Sequence, residues 1–501
     1  MQLAGVLLLL AGLVAGLIFS QRSPAIFFAG ALLTGYVLGW IPLDKALHNF
    51  TNSSLVTLVL LILCAIAIEK SRLTSWLSRQ FSSASLTVVI TRLTLTSAVL
   101  SAFINNTAVV STLMSSLRQH PHFAASKLLL PLSYSAIMGG MLTLIGTSTN
   151  LIVNSFIEEA GLPGFSFFDF TLLGLTAFAI GFFVLLLGAR WLPDNSSRQP
   201  KESSYYVTAQ VPEGSPLIGH SVENNGLRHL KSLYLADIQR AQKNLCPVSP
   251  DIQLRAGDCL HFVGNLTAIP QLQEIPGLEF TPQQQQHEFE LMEAVISNSS
   301  STPLSLSRSV AVVIAFLGVL LLSLLNIVPL VKGLTVLLVL YLLTRTIKLS
   351  DIRERFPLEL FIIVGSAIGL AQLMMDSGVA GLMASGLSAV VGENSPWLAL
   401  AAVFLATWLF TEVITNNAAA ALIFPVAYSL ALQLGVDPTP FFMAVAFGAS
   451  ASFISPFGYQ TNLMVYSAGN YKFRDYLRLG GPLCLVYSST VLLLLPRFFP
   501  F

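Results

Sequence analysis

Twelve apolar runs, six on each side of one long polar stretch, constrain this chain more than any other feature. They fall near 3–20, 24–42, 54–69, 86–117, 126–160 and 168–189, then near 309–326, 328–344, 357–376, 395–432, 439–470 and 479–496. A helix needs about 20 apolar residues to cross a bilayer. Inside lipid every backbone polar group must be satisfied within the chain, so such runs become helices. The 501 residues are 54% apolar and 10% charged, where a soluble chain carries about 25% charged residues. The expected fold is therefore an all-α polytopic membrane protein. A formal net charge of +1 leaves no basic face for nucleic acid. Cys64, Cys246, Cys259 and Cys484 show no metal-ligand spacing and read as packing residues or free thiols. Among the histidines the one cluster, His120-Pro-His122, reads as a polar loop.

The first run, Leu3 to Ser20, has no Lys or Arg before it and no small-x-small site after it. It reads as a retained span with an outside N-terminus, not as a cleaved leader.

The two sets of six repeat one another. Phe103-Ile-Asn105-Asn106-Thr107-Ala108 lines up with Val413-Ile-Thr415-Asn416-Asn417-Ala418, an offset of 310. Gly146-Thr-Ser-Thr149-Asn150-Leu151 lines up with Gly458-Tyr-Gln-Thr461-Asn462-Leu463, an offset of 312. All four motifs break apolar runs, as the paired interrupted helices of duplicated transporters do. If 86–117 and 395–432 dip into the membrane and return on the same side, each half crosses five times. An odd count makes the halves inverted repeats, each with a re-entrant hairpin and a broken helix.

Charge supports that topology. The expected cytoplasmic loops hold Arg22, then Lys70, Arg72 and Arg79, then Arg118 and Lys127, then Arg190, Arg198 and Lys201. In the second half they hold Arg345, Lys348, Arg353 and Arg355, then Lys472, Arg474 and Arg478. The expected outer segments carry Lys45, Lys332 and Arg497, and 161–167, 377–396 and 433–440 carry no Lys or Arg. This is the positive-inside asymmetry. It implies a multi-pass plasma (inner) membrane protein with both termini outside. Expected domains are a first membrane repeat (1–193), a cytoplasmic insert (200–290) and a second membrane repeat (308–498).

The insert alternates in short strands, Tyr205–Val211 and Cys259–Val263, with turns at Glu213-Gly214 and Ala256-Gly257-Asp258 and a Gln-rich tail at 283–286. Its length suits a small core of its own.

Asparagine and threonine amid apolar residues are costly in a bilayer unless partnered. Asn105, Asn106 and Thr107 form one such cluster, and Thr415, Asn416 and Asn417 the other. At an unwound hairpin tip, free carbonyls can hold a cation and the next half-helix offers N–H groups and a positive dipole end to an anion. Interhelical polar contacts are the plain alternative, but four breaks at paired positions favour a binding site. Glu412, three residues before the second tip, suits either a coupling proton or a polar structural pairing; its counterpart is Ala102. Arg92 on the first hairpin arm is expected to snorkel to the interface. An anion would otherwise meet only amides, hydroxyls and helix ends.

At these motifs the chain resembles the divalent anion/sodium symporter family, which carries Ser-Asn-Thr at two hairpin tips and a Gly-Thr-Pro-Pro-Asn-like loop in each following helix. Here the tips read Asn105-Asn106-Thr107 and Thr415-Asn416-Asn417. The resemblance covers both membrane halves. It implies one sodium site at Ser101, Asn105, Asn106 and Gly146, and a second at Thr411, Ile414 (carbonyl), Asn416 and Gly458. It implies substrate contacts at Asn105, Asn106, Thr107, Thr149, Asn416, Asn417 and Thr461, with Thr147, Ser148, Asn150, Gln460 and Asn462 supporting them. It also implies a homodimer with elevator-type motion. Asn417 stands opposite Thr107, and both loops lack the Pro-Pro pair. Residues 204–280 resemble the C-terminal domain of potassium-uptake regulators (TrkA-C type), through Pro216-Leu-Ile-Gly219 and Leu254-Arg-Ala-Gly-Asp258. That implies an α/β insert binding a small ligand effector. Branches with such inserts are associated with sulfate-like oxyanions.

Sodium-coupled import of a small divalent anion, sulfate-like or dicarboxylate, is the expected function. Proton coupling and a ligand-regulated channel are the alternatives. No HExxH, GxSxG or paired intramembrane Asp points to an enzyme.

Overall fold

The computed structural model describes residues 2–20, 22–71, 81, 83–118, 120–195, 304–325, 327–391 and 395–501. Within the insert it describes 205–222, 224–225, 227, 233–240, 243–245, 252–264 and 277–281. Arg72, Arg79, Arg198, Lys201, Cys246 and the Gln-rich tail lie outside these residues. The chain forms two compact units, 1–196 with 303–501, and 197–302.

The first unit is helical. Its first half carries α1 (Gln2–Phe19), α2 (Pro24–Val37), α3 (Leu43–His48), α4 (Ser53–Glu69), α5 (Leu86–Ser101), α6 (Asn106–Arg118), α7 (Ala125–Gly140), α8 (Ser148–Glu159) and α9 (Thr171–Gly188). The second half carries α10 (Leu306–Leu324), α11 (Leu330–Leu343), α12 (Leu349–Arg355), α13 (Leu358–Asp376) and α14 (Val379–Val391). It continues through α15 (Pro396–Val413), α16 (Asn416–Leu434), α17 (Thr439–Ala449), α18 (Gln460–Ala468) and α19 (Phe473–Phe498). Eight helical segments among the described residues are long and apolar enough to cross a membrane.

Burial sorts these helices into inner and outer ones. α7 is buried almost throughout, as are α16 and α17. α10 turns Val310, Ile314, Leu317 and Leu321 outward along one face. A continuous apolar stripe of that kind is costly in water and at home in lipid. α5 lies along α7, and α15 along α17, so each broken hairpin leans on the helix whose end forms the next break.

Local chemistry sets the boundaries. Asn52 starts α4 by accepting from the Ser54 N–H at 3.0 Å, an N-cap. α12 begins with a backbone N–H of Lys348 donating to Asp351, which also takes Lys70. Arg355 at the other end of α12 pairs with Glu69, so the last turn of α4 is tied to α12 twice. Burial pushes the Asp351 acid up, but the Lys70 hydrogen bond, the Lys348 N–H and the Lys70 charge outweigh it and hold it below its ordinary range. Residues 377–396, expected as an outer segment, contain α14. Val379, Ala380 and Ala384 are buried on one side of it, and Gln433 Nε2 of α16 donates to Gly381 O at 3.0 Å. Thirteen residues rich in Ala, Ser and Gly are too short to signal a span, so the helix is quiet in the sequence.

The second unit holds a five-stranded antiparallel sheet in the order β3-β2-β4-β1-β5. Its strands are β1 (Tyr205–Gln210), β2 (Leu233–Arg240), β3 (Lys243–Leu245), β4 (Cys259–Gly264) and β5 (Glu279–Thr281). Ala209, Ile238, Leu260 and Phe262 meet Val211 and Leu254 in its core. Gly214 and Gly257 turn the chain with φ of 92° and 81°, a conformation that favours glycine. The buried Asp258 is held by Arg240 through two hydrogen bonds of 2.7 Å and by the Arg255 N–H at 2.8 Å. No helix lies among the described residues of this unit.

Candidate functional site

Each hairpin tip is an interruption with its own cap. α5 stops at Ser101, and Asn105 restarts the chain as α6 by accepting the Thr107 N–H at 3.1 Å. α15 stops at Val413, Ile414 leaves helical geometry (φ −112°, ψ −103°), and Thr415 caps α16 by accepting the Ala418 N–H at 3.3 Å. Asn105 and Thr415 are counterparts at the offset of 310, so the two tips are built alike.

The following breaks are also built alike. Asn150 Nδ2 donates to Thr143 O, seven residues back, at 2.9 Å. Asn462 Nδ2 donates to Ser455 O, also seven back, at 3.2 Å, and to Ser452 O at 2.8 Å. These two asparagines are staples for their loops. α8 and α18 then begin at Thr147 and Tyr459 without a side-chain cap, which leaves their first N–H groups open.

The four half-helix starts converge. Tyr459 Oη donates to Asn106 Oδ1 at 2.8 Å and meets Thr147 Oγ1 at 2.8 Å. Asn416 reaches the same hydroxyl. Thr107 Oγ1 bonds Gln460 Oε1 at 3.4 Å, and Ser148 Oγ bonds Asn417 Oδ1 at 3.0 Å. Those last two contacts are equivalent under the offsets of 310 and 312: the third residue of each tip meets the loop of the other half. From Thr147 the hydroxyls continue to Thr149 Oγ1 at 3.1 Å and Ser450 Oγ at 3.2 Å. No Lys or Arg side chain takes part in these contacts, so the cluster presents hydroxyls, amides and helix N-termini.

The chemistry of the donor set fits a small cation beside Asn106. Its side chain meets Ser101 Oγ, and its amide nitrogen donates to Gly146 O and Ala136 O, each 3.2 Å away. The main-chain carbonyls gathered around it are the kind of oxygen ligand a hard cation prefers. The backbone packs closely enough to require glycine. A Cβ on Gly146 would stand 2.5 Å from Gly140 O and 2.8 Å from Ser101 O. The second half repeats this only in part: a Cβ on Gly458 would meet Thr411 O at 2.4 Å and Ser452 Oγ at 2.5 Å. The Thr411 hydroxyl is spent on Thr407 O at 2.9 Å, so its main-chain oxygen is the group facing Gly458.

Not every residue singled out by motif reaches this cluster. Thr461 accepts from Ser133 Oγ at 2.9 Å, and that hydroxyl also contacts Asn462 Oδ1 at 2.7 Å. Asn105 is exposed and, with Gly146 and Ser148, borders a small cleft against Leu58, Leu61 and Ala65 of α4. Glu412 lies behind the second loop. Its carboxylate accepts the N–H groups of Phe453 at 3.2 Å, Ile454 at 3.1 Å and Ser455 at 2.9 Å. Tyr459 is the central residue that motif reading passed over. Its position opposite Thr147 at the offset of 312 was the available signal.

Apolar spanning helices around a buried polar cluster made of broken helices define a membrane transporter, not an enzyme. Residues 6–446 match the family described as citrate transporter (CitMHS), and the chain belongs to that family. It is 26% identical to the uncharacterized transporter sll0640 of Synechocystis sp., over 91% of each chain. It is 28% identical to sodium/sulfate cotransporter 1 of Chlamydomonas reinhardtii, over 56% of this chain and 31% of that one. Its fold is similar to the crystal structure of the YdaH transporter of Alcanivorax borkumensis, with TM-score 0.51, 12% identity, and 99% and 97% of the two chains covered.

Proposed function

We propose that this transporter couples sodium to the import of a small divalent oxyanion, sulfate-like before dicarboxylate. The observation that carries the reading is the meeting of four half-helix starts at Asn106, Thr147, Asn416 and Tyr459, beside the close-packed main-chain carbonyls of Ser101 and Gly140 at Gly146. Uncapped N–H groups and dipole ends draw an anion, and the oxygens at Ser101, Asn106 and Gly146 would hold a cation. Thr107, Ser148, Asn417 and Gln460 rim the anion position. The relative named as a sodium/sulfate cotransporter supports the choice of ions. A cation next to the anion supplies the charge that no fixed Lys or Arg supplies, and its departure lets the anion leave.

In this reading the halves are inverted repeats of five crossings, each with a re-entrant hairpin, and the protein works as an elevator-type homodimer. Both termini lie outside, and the sheet-bearing insert is a cytoplasmic TrkA-C-like regulator. Glu412 serves the loop and carries no coupling proton, because its oxygens are committed to three N–H groups. The test is uptake into proteoliposomes of labelled sulfate, succinate and citrate. Sulfate should accumulate under an inward sodium gradient and not under a proton gradient alone; accumulation indifferent to sodium would end the coupling claim. Asn106→Ala and Asn416→Ala should each abolish uptake. Deletion of 200–290 should change the kinetics, and unchanged kinetics would make the insert a spacer.

A further inference from the structure

The two loops that carry half-helix starts share a backbone but differ in two side chains. Thr147 enters α8 with φ −135° and ψ 147°, and Tyr459 enters α18 with φ −138° and ψ 135°. At the offset of 312, Gly146, Thr149 and Asn150 meet the same residue types at Gly458, Thr461 and Asn462. Tyr459 stands opposite Thr147, and Gln460 opposite Ser148. The loops therefore differ in how much room their side chains fill.

Tyr459 spends its length on a bridge. Its main chain belongs to the start of α18, yet its hydroxyl lies in the first half. There it donates to Asn106 Oδ1 at 2.8 Å and sits 2.8 Å from Thr147 Oγ1. The ring between these ends is 6% exposed, so it fills the gap between the half-helix starts. A tyrosine hydroxyl has one hydrogen, and Asn106 takes it. Tyr459 is thus a wall of the site and not a donor to the cargo. Gln460 spans the rim in the same way, its Oε1 reaching Thr107 Oγ1 at 3.4 Å. Its counterpart Ser148 makes the equivalent contact, to Asn417 Oδ1 at 3.0 Å, with a shorter side chain.

A duplicated site lined by two Thr-Ser pairs would be open in front of both α8 and α18. It could seat an anion with two charged ends, one at each helix start. Here a ring and an amide stand in front of α18. A second carboxylate could enter only by displacing the buried ring and breaking both contacts of its hydroxyl. A compact tetrahedral oxyanion needs one seat.

We propose that Tyr459 and Gln460 set the cargo class: they fill the second seat of the duplicated site, which then takes a tetrahedral oxyanion and excludes a two-ended dicarboxylate. The inference rests on the anion-import reading above and deepens it by naming the side chains that choose the anion.

Competition between labelled sulfate and labelled succinate for uptake into proteoliposomes tests it, with the full-length protein and an inward sodium gradient. The wild type should favour sulfate. Tyr459→Thr combined with Gln460→Ser gives the second loop the same five residues as the first. It should move the succinate-to-sulfate ratio toward succinate by about 10-fold or more, the weight of a methylene or two in a fitted pocket. Tyr459→Phe keeps the ring and loses the hydroxyl, so both rates should fall together and the ratio should hold. If thermal unfolding shows that the double variant does not fold, Gln460→Ser alone decides, since it changes an exposed side chain and should move the ratio the same way. A ratio that stays at the wild-type value in the deciding variant overturns the wall. So does a Tyr459→Phe ratio that shifts as far as the double variant's, or a wild type that takes succinate as readily as sulfate. A wild type that takes up neither anion overturns the anion-import reading, and the wall with it.

Discussion

Replacing Glu412 probes the second loop most directly. One carboxylate oxygen takes the N–H groups of Phe453 and Ile454, and the other takes that of Ser455 at 2.9 Å and Ser452 Oγ at 3.5 Å. In Glu412→Gln the amide oxygen can keep the first pair, but the new NH2 then faces the Ser455 N–H, donor against donor. One lost bond and one buried donor without a partner cost about 1–3 kcal/mol. At 1.4 kcal/mol per tenfold, the seated loop becomes roughly 5- to 150-fold less favoured. Glu412→Ala strands all three N–H groups and should cost roughly 3–6 kcal/mol. Thermal unfolding in detergent and initial uptake rates should therefore both rank wild type above Gln above Ala at alkaline pH, where the carboxylate is charged. A Gln variant with unchanged stability and uptake refutes the clamp. A Gln variant that keeps its rate but loses its pH dependence would make Glu412 a proton carrier after all.

Other substitutions separate the remaining parts. Gly146→Ala and Gly458→Ala push a methyl onto backbone oxygens at 2.5 and 2.4 Å and should destabilise by about 1–3 kcal/mol with loss of uptake. Gly481→Ala, with nothing within 4 Å, should leave both unchanged. Asn462→Ala removes two loop hydrogen bonds and Asn150→Ala one, so the former should lower the melting temperature about twice as far. Asp351→Asn should cost on the order of 1 kcal/mol at neutral pH. The folded protein favours charged Asp351, so its contribution is complete above the ordinary Asp value of about 4 and fades as pH falls through the lowered one. Wild type and variant should thus converge in melting temperature under acid; a gap that persists there would contradict the pairing.

The breaks were legible because Asn and Gly in apolar runs need a reason, and the same reason recurred at 310 and 312 residues. That spacing pointed to Asn106, Asn416, Thr147, Ser148 and Asn417, which share one polar cluster. It did not reveal direction. Thr461 sits in a motif, yet Ser133 from α7 takes its hydroxyl, and a linear pattern does not tell which side of a short helix faces a neighbour. Tyr459 was hidden for the opposite reason, since an aromatic residue among apolar ones reads as packing. Glu412 was visible as an oddity, but its partners are main-chain N–H groups with no residue identity to read.

The asparagine staples carry a mechanical consequence. Each ties its bend to a carbonyl seven residues upstream, and in the second half a carboxylate locks the same bend from behind. A corner braced in this way cannot straighten into continuous helix without abandoning several internal bonds at once. In the proposed transport cycle the elbows therefore keep their shape, and the flexing that would expose the cargo first to one side and then to the other has to be sought outside them.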